Sequence, residues 1–262
     1  MTDASFISPL RFVSGADEKV ARVFDAPQGF VESLRSLGIS KREAEEESRP
    51  KGATVPPLGL SNRALQKGSY LMPPESGTDM DIAPVAGDAV EKQGQNEAII
   101  SISHTFTSLP TEEELATSTL WPEVEKVYGH GYELVCAAAS HAGDLIATAS
   151  KATNAEHAVI RVVSASKWEL VGEPLGGHSL TITSVSFSRD DNRILSCSRD
   201  RGWRVFERKV DGEGYVPLAG EEKAHARMVL DACWADERND MFATASRDKT
   251  VRFTLVLELD NG

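Results

Sequence analysis

The chain has 262 residues, of which 40% are hydrophobic and 26% are charged. A chain of this length holds one or two domains, and its apolar content is well above that of a disordered chain. Its formal net charge of -12 argues against a protein that grips nucleic acid with its whole electrostatic field, although a local basic patch stays open.

Alternating apolar residues predict two strands near the start of the chain. The segments RFVSG and VARVFD, within residues 11–25, have a period of two and flank a polar turn. Residues 1–27 are therefore predicted to form part of one sheet.

The pattern then stops, and residues 28–97 predict a long insertion, largely irregular or disordered, because they are rich in Gly, Pro and mixed charge. Within it, residues 30–48 favour a helix because the run contains good helix formers.

Residues 98–262 contain three consecutive groups of predicted strands. Period-two alternation with β-branched residues, interrupted by Asp-Asn, Asp-Gly or Arg-Asp turns, favours strands over helices. The last group lacks a clear fourth strand. The predicted strands are 133–140, 145–150, 158–164 and 167–172; then 183–188, 193–198, 202–208 and 215–220; then 229–235, 241–246 and 250–257.

Each of these groups follows a small residue and a histidine. His130, His178 and His225 lie 48 and 47 residues apart. In the last two copies a Ser-rich strand and an Asp follow, as SCSRDRGWRVF (196–206) and ATASRDKTVRF (243–253). Repeats of this length and pattern are typical of WD-type propeller blades. We predict an all-β fold: an incomplete WD-repeat β-propeller of about three blades plus part of another, with a long irregular insertion.

The recurring polar residues predict structural hydrogen-bond sets. A metal site or a catalytic centre is normally unique, whereas these residues repeat with the fold, and the chain lacks the Gly-x-Ser-x-Gly elbow of a hydrolase. We therefore assign no catalytic, cofactor-binding or metal residue and expect no cofactor. The predicted sets are His178 with Ser196 and Asp200; His225 with Thr244 and Asp248; His130 in the preceding copy; and Ser14 with Glu18 in the first.

The three cysteines and the chain's first residues indicate an intracellular protein. Cys136, Cys197 and Cys233 each lie in an apolar, strand-like run, which predicts buried, reduced thiols. No apolar run reaches the roughly 18–20 residues of a membrane span, and the N-terminal residues do not resemble a signal peptide. We expect a cytoplasmic and nuclear protein without membrane contact.

Basic residues surround two equivalent turns in this acidic chain. Arg199, Arg201 and Arg204 surround the first, and Arg247, Lys249 and Arg252 surround the second. Two interpretations stay open. The charges are solvated turn residues, or they form a basic rim that contacts an acidic protein partner or RNA through carboxylate or phosphate groups.

Four segments resemble a known family more closely than a generic repeat does. They are RFVSGADEKVARVFDAP (11–27), GATVPPLGLSNRAL (52–65), TLWPEVEKVYGHGYE (119–133) and SRDKTV (246–251). Together they resemble the family of second subunits of the Elongator complex. The resemblance implies a non-catalytic scaffold of two seven-bladed propellers. It also implies two partners, the largest Elongator subunit and the catalytic radical-SAM and acetyltransferase-like subunit, in an assembly that modifies the wobble uridine of tRNAs.

The length of the chain departs from that family. A seven-bladed ring needs about 300 residues at 40–45 per blade, so we expect an internal part of the second propeller or a truncated product, and a marginal or sticky chain in isolation. Two other functions stay open at this point. They are a generic WD-repeat scaffold of another intracellular assembly and direct RNA binding, because a fold alone does not fix function.

Overall fold

A computed structural model describes residues 3–39, 49–55, 63–64, 99–102, 108–112, 120–210, 213–235 and 238–256. The chain divides into two compact units, the first formed by Met1–Asp25 with Val124–Gly262 and the second by Ala26–Glu123. The second unit has wider bounds than the insertion that the sequence predicts at 28–97.

Strands dominate the described residues, and one helix, α1 (Gln28–Ser36), accompanies them. The strands in chain order are β1 (Asp3–Ser8), β2 (Arg11–Gly15), β3 (Ala21–Asp25), β4 (Gly52–Val55), β5 (Arg63–Ala64), β6 (Ile99–Ile102), β7 (Glu123–Val127), β8 (Leu134–Ala139), β9 (Leu145–Ser150), β10 (Ile160–Ser164), β11 (Ile182–Phe187), β12 (Arg193–Ser198), β13 (Trp203–Arg208), β14 (Tyr215–Glu221), β15 (Val229–Ala235), β16 (Arg238–Ser246) and β17 (Val251–Leu255).

The first unit consists of four small sheets, here named blades A to D. Blade A has the strand order β1-β2-β3-β7, blade B is β8-β9-β10, blade C is β11-β12-β13-β14, and blade D is β15-β16-β17. The predicted all-β, WD-repeat fold is confirmed. The strand β1 was not predicted; it pairs with β2 and extends the first part blade. The predicted strand at 167–172 is reduced to a single bridge between Val163 and Leu170.

The blades lie side by side, because the first strands of successive blades contact one another: β1 contacts β8, β8 contacts β11, and β11 contacts β15. Each junction buries an apolar cluster, which removes from water the sheet faces that a single blade cannot cover. The clusters include Val13 and Val23 with Leu134 and Ile146 between blades A and B; Ala147 and Val162 with Ile194 and Phe206 between B and C; and Leu195 and Val205 with Trp234 and Phe242 between C and D.

Polar contacts also join neighbouring blades. The buried carboxylate of Asp191 in blade C accepts hydrogen bonds from the backbone N–H groups of His141 and Ala142 in blade B, both at 2.8 Å. Asp191 has a φ of 57°, and the Tyr215 hydroxyl donates to its carbonyl at 2.7 Å. A charged group in a buried position is stable only with such partners, so Asp191 fixes the turn of blade C against that of blade B.

The second unit contains α1 and a small sheet. The helix is shorter than the predicted 30–48: it begins at Gln28, after Pro27, and ends at Ser36. Gly38, with a φ of 71°, then closes the last turn by donating its N–H to the Arg35 carbonyl, a common way for a helix to end. Residues 40–48 lie outside the described part. In the sheet, β4 pairs antiparallel with both β5 and β6.

The cysteines do not share one environment. Cys136 and Cys197 are buried, whereas Cys233 is exposed. The prediction of three buried thiols is therefore wrong for Cys233. Its strand turns this position to the face of blade D that no described blade covers, opposite Ala243. Among the described residues, no helix is long and apolar enough to cross a membrane.

Candidate functional site

The polar set of blade C is centred on His178. This imidazole is buried, and its Nδ1 lies 2.9 Å from Asp200 Oδ2 while its Nε2 lies 2.9 Å from Ser196 Oγ. The Asp200 carboxylate also accepts the backbone N–H groups of Ser179 at 3.0 Å and Gly202 at 2.9 Å. The set thus joins the loop before the blade to its second strand and to the following turn.

The Asp200 carboxylate is held in its charged form. Burial acts to raise the pKa of Asp200, but the hydrogen bond and charge of His178 and the two backbone N–H donors outweigh it and hold that pKa well below its usual range. The His178 ring donates from Nδ1 to the Asp200 carboxylate, and its Nε2 shares a hydrogen bond with the Ser196 hydroxyl. All three groups are then satisfied, which is the requirement for burying them.

Blade D repeats the arrangement around His225. Its Nε2 lies 2.9 Å from Thr244 Oγ1, and its Nδ1 lies 3.1 Å from Asp248 Oδ2 and 3.2 Å from Thr250 Oγ1. Thr250 was not part of the predicted set. Its hydroxyl is the main cause that lowers the pKa of Asp248 below its usual range, against the opposing effect of burial; the Ala226 N–H adds to it.

Blade B keeps the histidine and the hydroxyl but has a basic neighbour instead of the acid. His130 Nε2 lies 2.9 Å from Thr148 Oγ1. Burial, followed by the charge of Arg161, lowers the pKa of His130 from 6.5 to about 4. The ring is therefore neutral at physiological pH. The set holds the entry loop of blade B without an ionised carboxylate.

Blade A does not bring Ser14 and Glu18 together as a set. The Glu18 carboxylate accepts the guanidinium of Arg22 at 2.6 Å, an exposed pair four residues apart. Ser14 lies opposite Arg22 in the register of β2 and β3. The predicted role of Glu18 as the acid of a buried set is therefore corrected: its partner is Arg22, near the start of β3.

The six basic residues of the predicted rim occupy three equivalent places in blades C and D. Arg199 and Arg247 are exposed, and each donates its backbone N–H, at 3.0 Å, to the carbonyl just before the first strand of its blade. Arg201 and Lys249 have φ values of 77° and 69°, which turn the chain tightly between the second and third strands. Arg204 and Arg252 lie opposite Ser196 and Thr244, whose hydroxyls belong to the two polar sets.

The structure adds two arginines to this pattern that the sequence analysis missed. Arg161 in blade B lies opposite Thr148, and Arg22 in blade A lies opposite Ser14. One arginine per blade therefore stands across from the hydroxyl position. The recurrence is visible in the sequence as ARVF, IRVV, WRVF and VRFT, where the arginine enters the third strand.

A cavity of about 250 Å³ lies beside the His178 set. Its lining combines the basic residues Arg201, Arg204 and Lys223 with the acidic residues Asp200, Glu221 and Glu222. Arg204 reaches Glu222 at 3.6 Å, so the charges in the cavity balance one another. Among the described residues, no group of three or more His, Cys, Asp or Glu side chains could hold a metal ion.

Comparison with known proteins agrees with this geometry. The family description "WD domain, G-beta repeat" matches residues 168–207, which run from the end of blade B into blade C. Over 94% of its length the chain is similar to Elongator complex protein 2, with 38% identity to the protein of Mus musculus, 40% to that of Saccharomyces cerevisiae and 42% to that of Schizosaccharomyces pombe. The chain is a homologue of part of Elongator complex protein 2.

The similarity covers a limited share of each relative. The chain spans 30% of the length of these Elongator complex protein 2 sequences. The resemblance predicted from the four sequence segments is confirmed. The four blades therefore correspond to part of the Elongator complex protein 2 sequence.

Proposed function

We propose that the chain is a non-catalytic WD-repeat scaffold of the Elongator complex. In this role it supports tRNA wobble-uridine modification through protein–protein contacts, in the cytoplasm and nucleus. Its proposed partners are the largest Elongator subunit and the catalytic radical-SAM and acetyltransferase-like subunit. The observation that carries the proposal is the similarity of nearly the whole chain to Elongator complex protein 2.

The polar sets support a scaffold over an enzyme. His178, Ser196 and Asp200 resemble a catalytic triad in composition. However, His178 and Ser196 are buried, and the same arrangement is built around His225. A hydroxyl that is enclosed between two strands and bonded to a buried ring cannot approach a substrate, so these groups stabilise the blades.

Co-purification tests the proposed assembly. A tagged form of the chain, expressed in cells whose own Elongator complex protein 2 has been depleted, should retain the largest subunit and the catalytic subunit. Replacing Arg199 and Arg247 with Glu should weaken this retention if the rim binds an acidic subunit surface, because like charges repel. A matched Lys167→Glu, Lys209→Glu variant changes exposed residues outside the rim and should retain both partners. Failure of the unaltered chain to retain either subunit contradicts the proposal.

The rim also supports direct RNA binding as a second candidate. Arg199 and Arg247 are exposed at equivalent points of two neighbouring blades, and guanidinium groups bind phosphate oxygens well. Binding of tRNA should then weaken steeply as salt rises, because phosphate contacts release counterions. A variant with Arg199, Arg201 and Arg247 replaced by Ala should bind more weakly and with a shallower salt dependence. Replacing Lys151, Lys167 and Lys209 with Ala provides the control.

A further inference from the structure

Blade B lacks the acid that completes the polar sets of blades C and D. The backbone N–H groups of Lys151 and Arg199 each donate to the carbonyl three residues after the histidine of their set, so blades B and C are in register up to this point. The next residue is Asp200 in blade C but Ala152 in blade B. The place of the acid in blade B is therefore occupied by a residue that carries no charge.

Contacts with blade C fix Ala152 in this register. Ala152 is 5% exposed, and its backbone N–H and carbonyl both bond to the Thr181 hydroxyl, at 3.0 Å and 2.8 Å. In the turn that follows, up to β10, the one acidic residue is Glu156. Glu156 is exposed and forms no ion pair among the described residues. The turn therefore does not replace the missing carboxylate.

Two donors that meet the carboxylate in blade C have no acceptor in blade B. Asp200 accepts from Nδ1 of His178 and from the backbone N–H of Ser179. The matching groups of blade B are Nδ1 of His130 and the N–H of Gly131, and neither has a partner among the described residues. Nδ1 of His130 is not among the side-chain nitrogens that are buried without a partner, and Gly131 has open space around it. Both groups are therefore accessible to a ligand.

Arg161 adds a positive charge without a counter-charge. Its Nε atom is buried without a hydrogen-bond partner, and its guanidinium forms no ion pair among the described residues. The arginines at the same sheet position in blades A and C do reach carboxylates, Arg22 that of Glu18 at 2.6 Å and Arg204 that of Glu222 at 3.6 Å. A half-buried guanidinium without such a partner attracts an anion.

Arg161 lies close enough to His130 for both to contact one anion. The guanidinium packs against Gly129, the residue before the histidine. The pKa of His130 is lowered to about 4, first by burial and then by the charge of Arg161, and no carboxylate counteracts these causes. A neutral ring with its proton on Nδ1 can donate to an anion while the Thr148 hydroxyl, 2.9 Å from Nε2, donates to the ring.

We propose that Nδ1 of His130, the N–H of Gly131 and the guanidinium of Arg161 form a binding site for a carboxylate group, here named the blade B anion site. The carboxylate comes from outside the blade, as an acidic side chain of a partner or as a free organic acid. It completes the polar set of blade B as Asp200 completes that of blade C. Blade B has a neighbour on both sides in the described structure, and the proposal does not depend on the proposed function.

Titration with sodium acetate tests the site with a minimal carboxylate, with sodium chloride keeping the ionic strength constant. The amide resonance of Gly131 in protein labelled with nitrogen-15 should shift along a saturable curve. Arg161→Gln should weaken the apparent affinity about tenfold or more, because a charge-assisted contact is lost. Arg252→Gln is the matched control. It removes the exposed arginine of blade D, where Asp248 already provides the acid, and should bind acetate like the unaltered chain.

Ala152→Asp supplies the carboxylate within the chain. Its side chain should occupy the blade B anion site, so the Gly131 resonance should no longer respond to acetate. A folded Ala152→Asp variant that responds like the unaltered chain contradicts the proposal. Because Ala152 is buried, this variant is first checked by circular dichroism, and if it does not fold, the comparison with Arg161→Gln decides.

A blocked tripeptide with a central aspartate separates the two sources of the carboxylate. If the site takes an acidic side chain of a partner, the peptide should saturate it at a concentration about tenfold or more below that of acetate. Equal saturating concentrations indicate a free organic acid. A Gly131 resonance that responds to neither ligand overturns the proposal, as does a response that is unchanged in Arg161→Gln.

Discussion

The Ser196 hydroxyl lies 2.9 Å from Nε2 of His178, and both groups are buried. The serine belongs to the second strand of blade C and the histidine to the loop that enters the blade, so one hydrogen bond fixes two distant segments. Asp200 holds the opposite side of the ring. The position of the loop therefore depends on a short polar chain inside the blade.

Replacing Ser196 with Ala should destabilise the protein by about 1–3 kcal/mol, because the Nε2 atom of His178 is left buried without a partner. Urea unfolding followed by circular dichroism measures the change. Ser166→Ala, at an exposed position, is the control and should be nearly neutral. Equal stability of the two variants would mean that the hydrogen bond contributes nothing.

His130 should make stability depend on pH. Its pKa is lowered from 6.5 to about 4, so the unfolded chain takes up this proton first as the pH falls. The contribution of neutral His130 to the free energy of unfolding is therefore complete above about pH 6.5. It is lost as the pH falls from there to about 4. The free energy of unfolding changes by up to about 1.4 kcal/mol per pH unit where His130 is protonated in the unfolded chain and neutral in the folded one.

The His130→Gln variant should show a flatter dependence of the free energy of unfolding on pH over that window. Tyr128→Phe, which changes an exposed residue two positions earlier, should keep the slope of the unaltered chain. Thermal unfolding at a series of pH values gives both curves. Parallel curves for His130→Gln and the unaltered chain would contradict the assignment.

Asp191 should be a stabilising link between blades B and C. Replacement by Ala leaves the N–H groups of His141 and Ala142 without their acceptor and should cost about 1–3 kcal/mol. Asp191→Asn keeps one acceptor oxygen and a residue type that tolerates a positive φ, so it should cost less than Asp191→Ala. Chemical unfolding ranks the variants, and the reverse order would show that the carboxylate is not the link.

Gly143 should be intolerant of a side chain. It has a φ of 75°, and a Cβ atom there would meet the Ile7 carbonyl oxygen of blade A at 2.5 Å. Gly143→Ala should therefore cost about 1–3 kcal/mol through backbone strain, with a further steric cost. Gly131→Ala has open space around its Cβ and should be tolerated. Similar melting temperatures for the two variants would contradict the close approach.

Local sequence patterns predicted the strands well where residues of one type recur with the two-residue period of a strand. The second strands of blades B and C, 145–150 and 193–198, have the predicted bounds. Apolar alternation and turn residues decide such strands locally. The strand β1 was missed because Asp3–Ser8 alternates polar residues with few large apolar ones. Its pairing with β2 and its contact with blade B create it.

The spacing of His, Ser and Asp indicated the polar sets, but not all their partners. His178 and His225 meet the hydroxyls and carboxylates expected from the repeat. Thr250 joins the second set through a turn geometry that spacing does not encode. Glu18 occupies the right register but pairs with Arg22, because that guanidinium lies within reach four residues further along the chain.

By itself, the sequence determined the fold class, the relation to Elongator complex protein 2 and the residues that repeat once per blade. These properties follow from period, spacing and residue type, which are local along the chain. Only the tertiary structure decided which copy of each repeated position is covered. Phe253 and Val205 occupy the same place in consecutive blades, yet the first is exposed and the second is buried. Burial depends on whether a neighbouring blade packs against the position, and the local sequence around the position does not specify that.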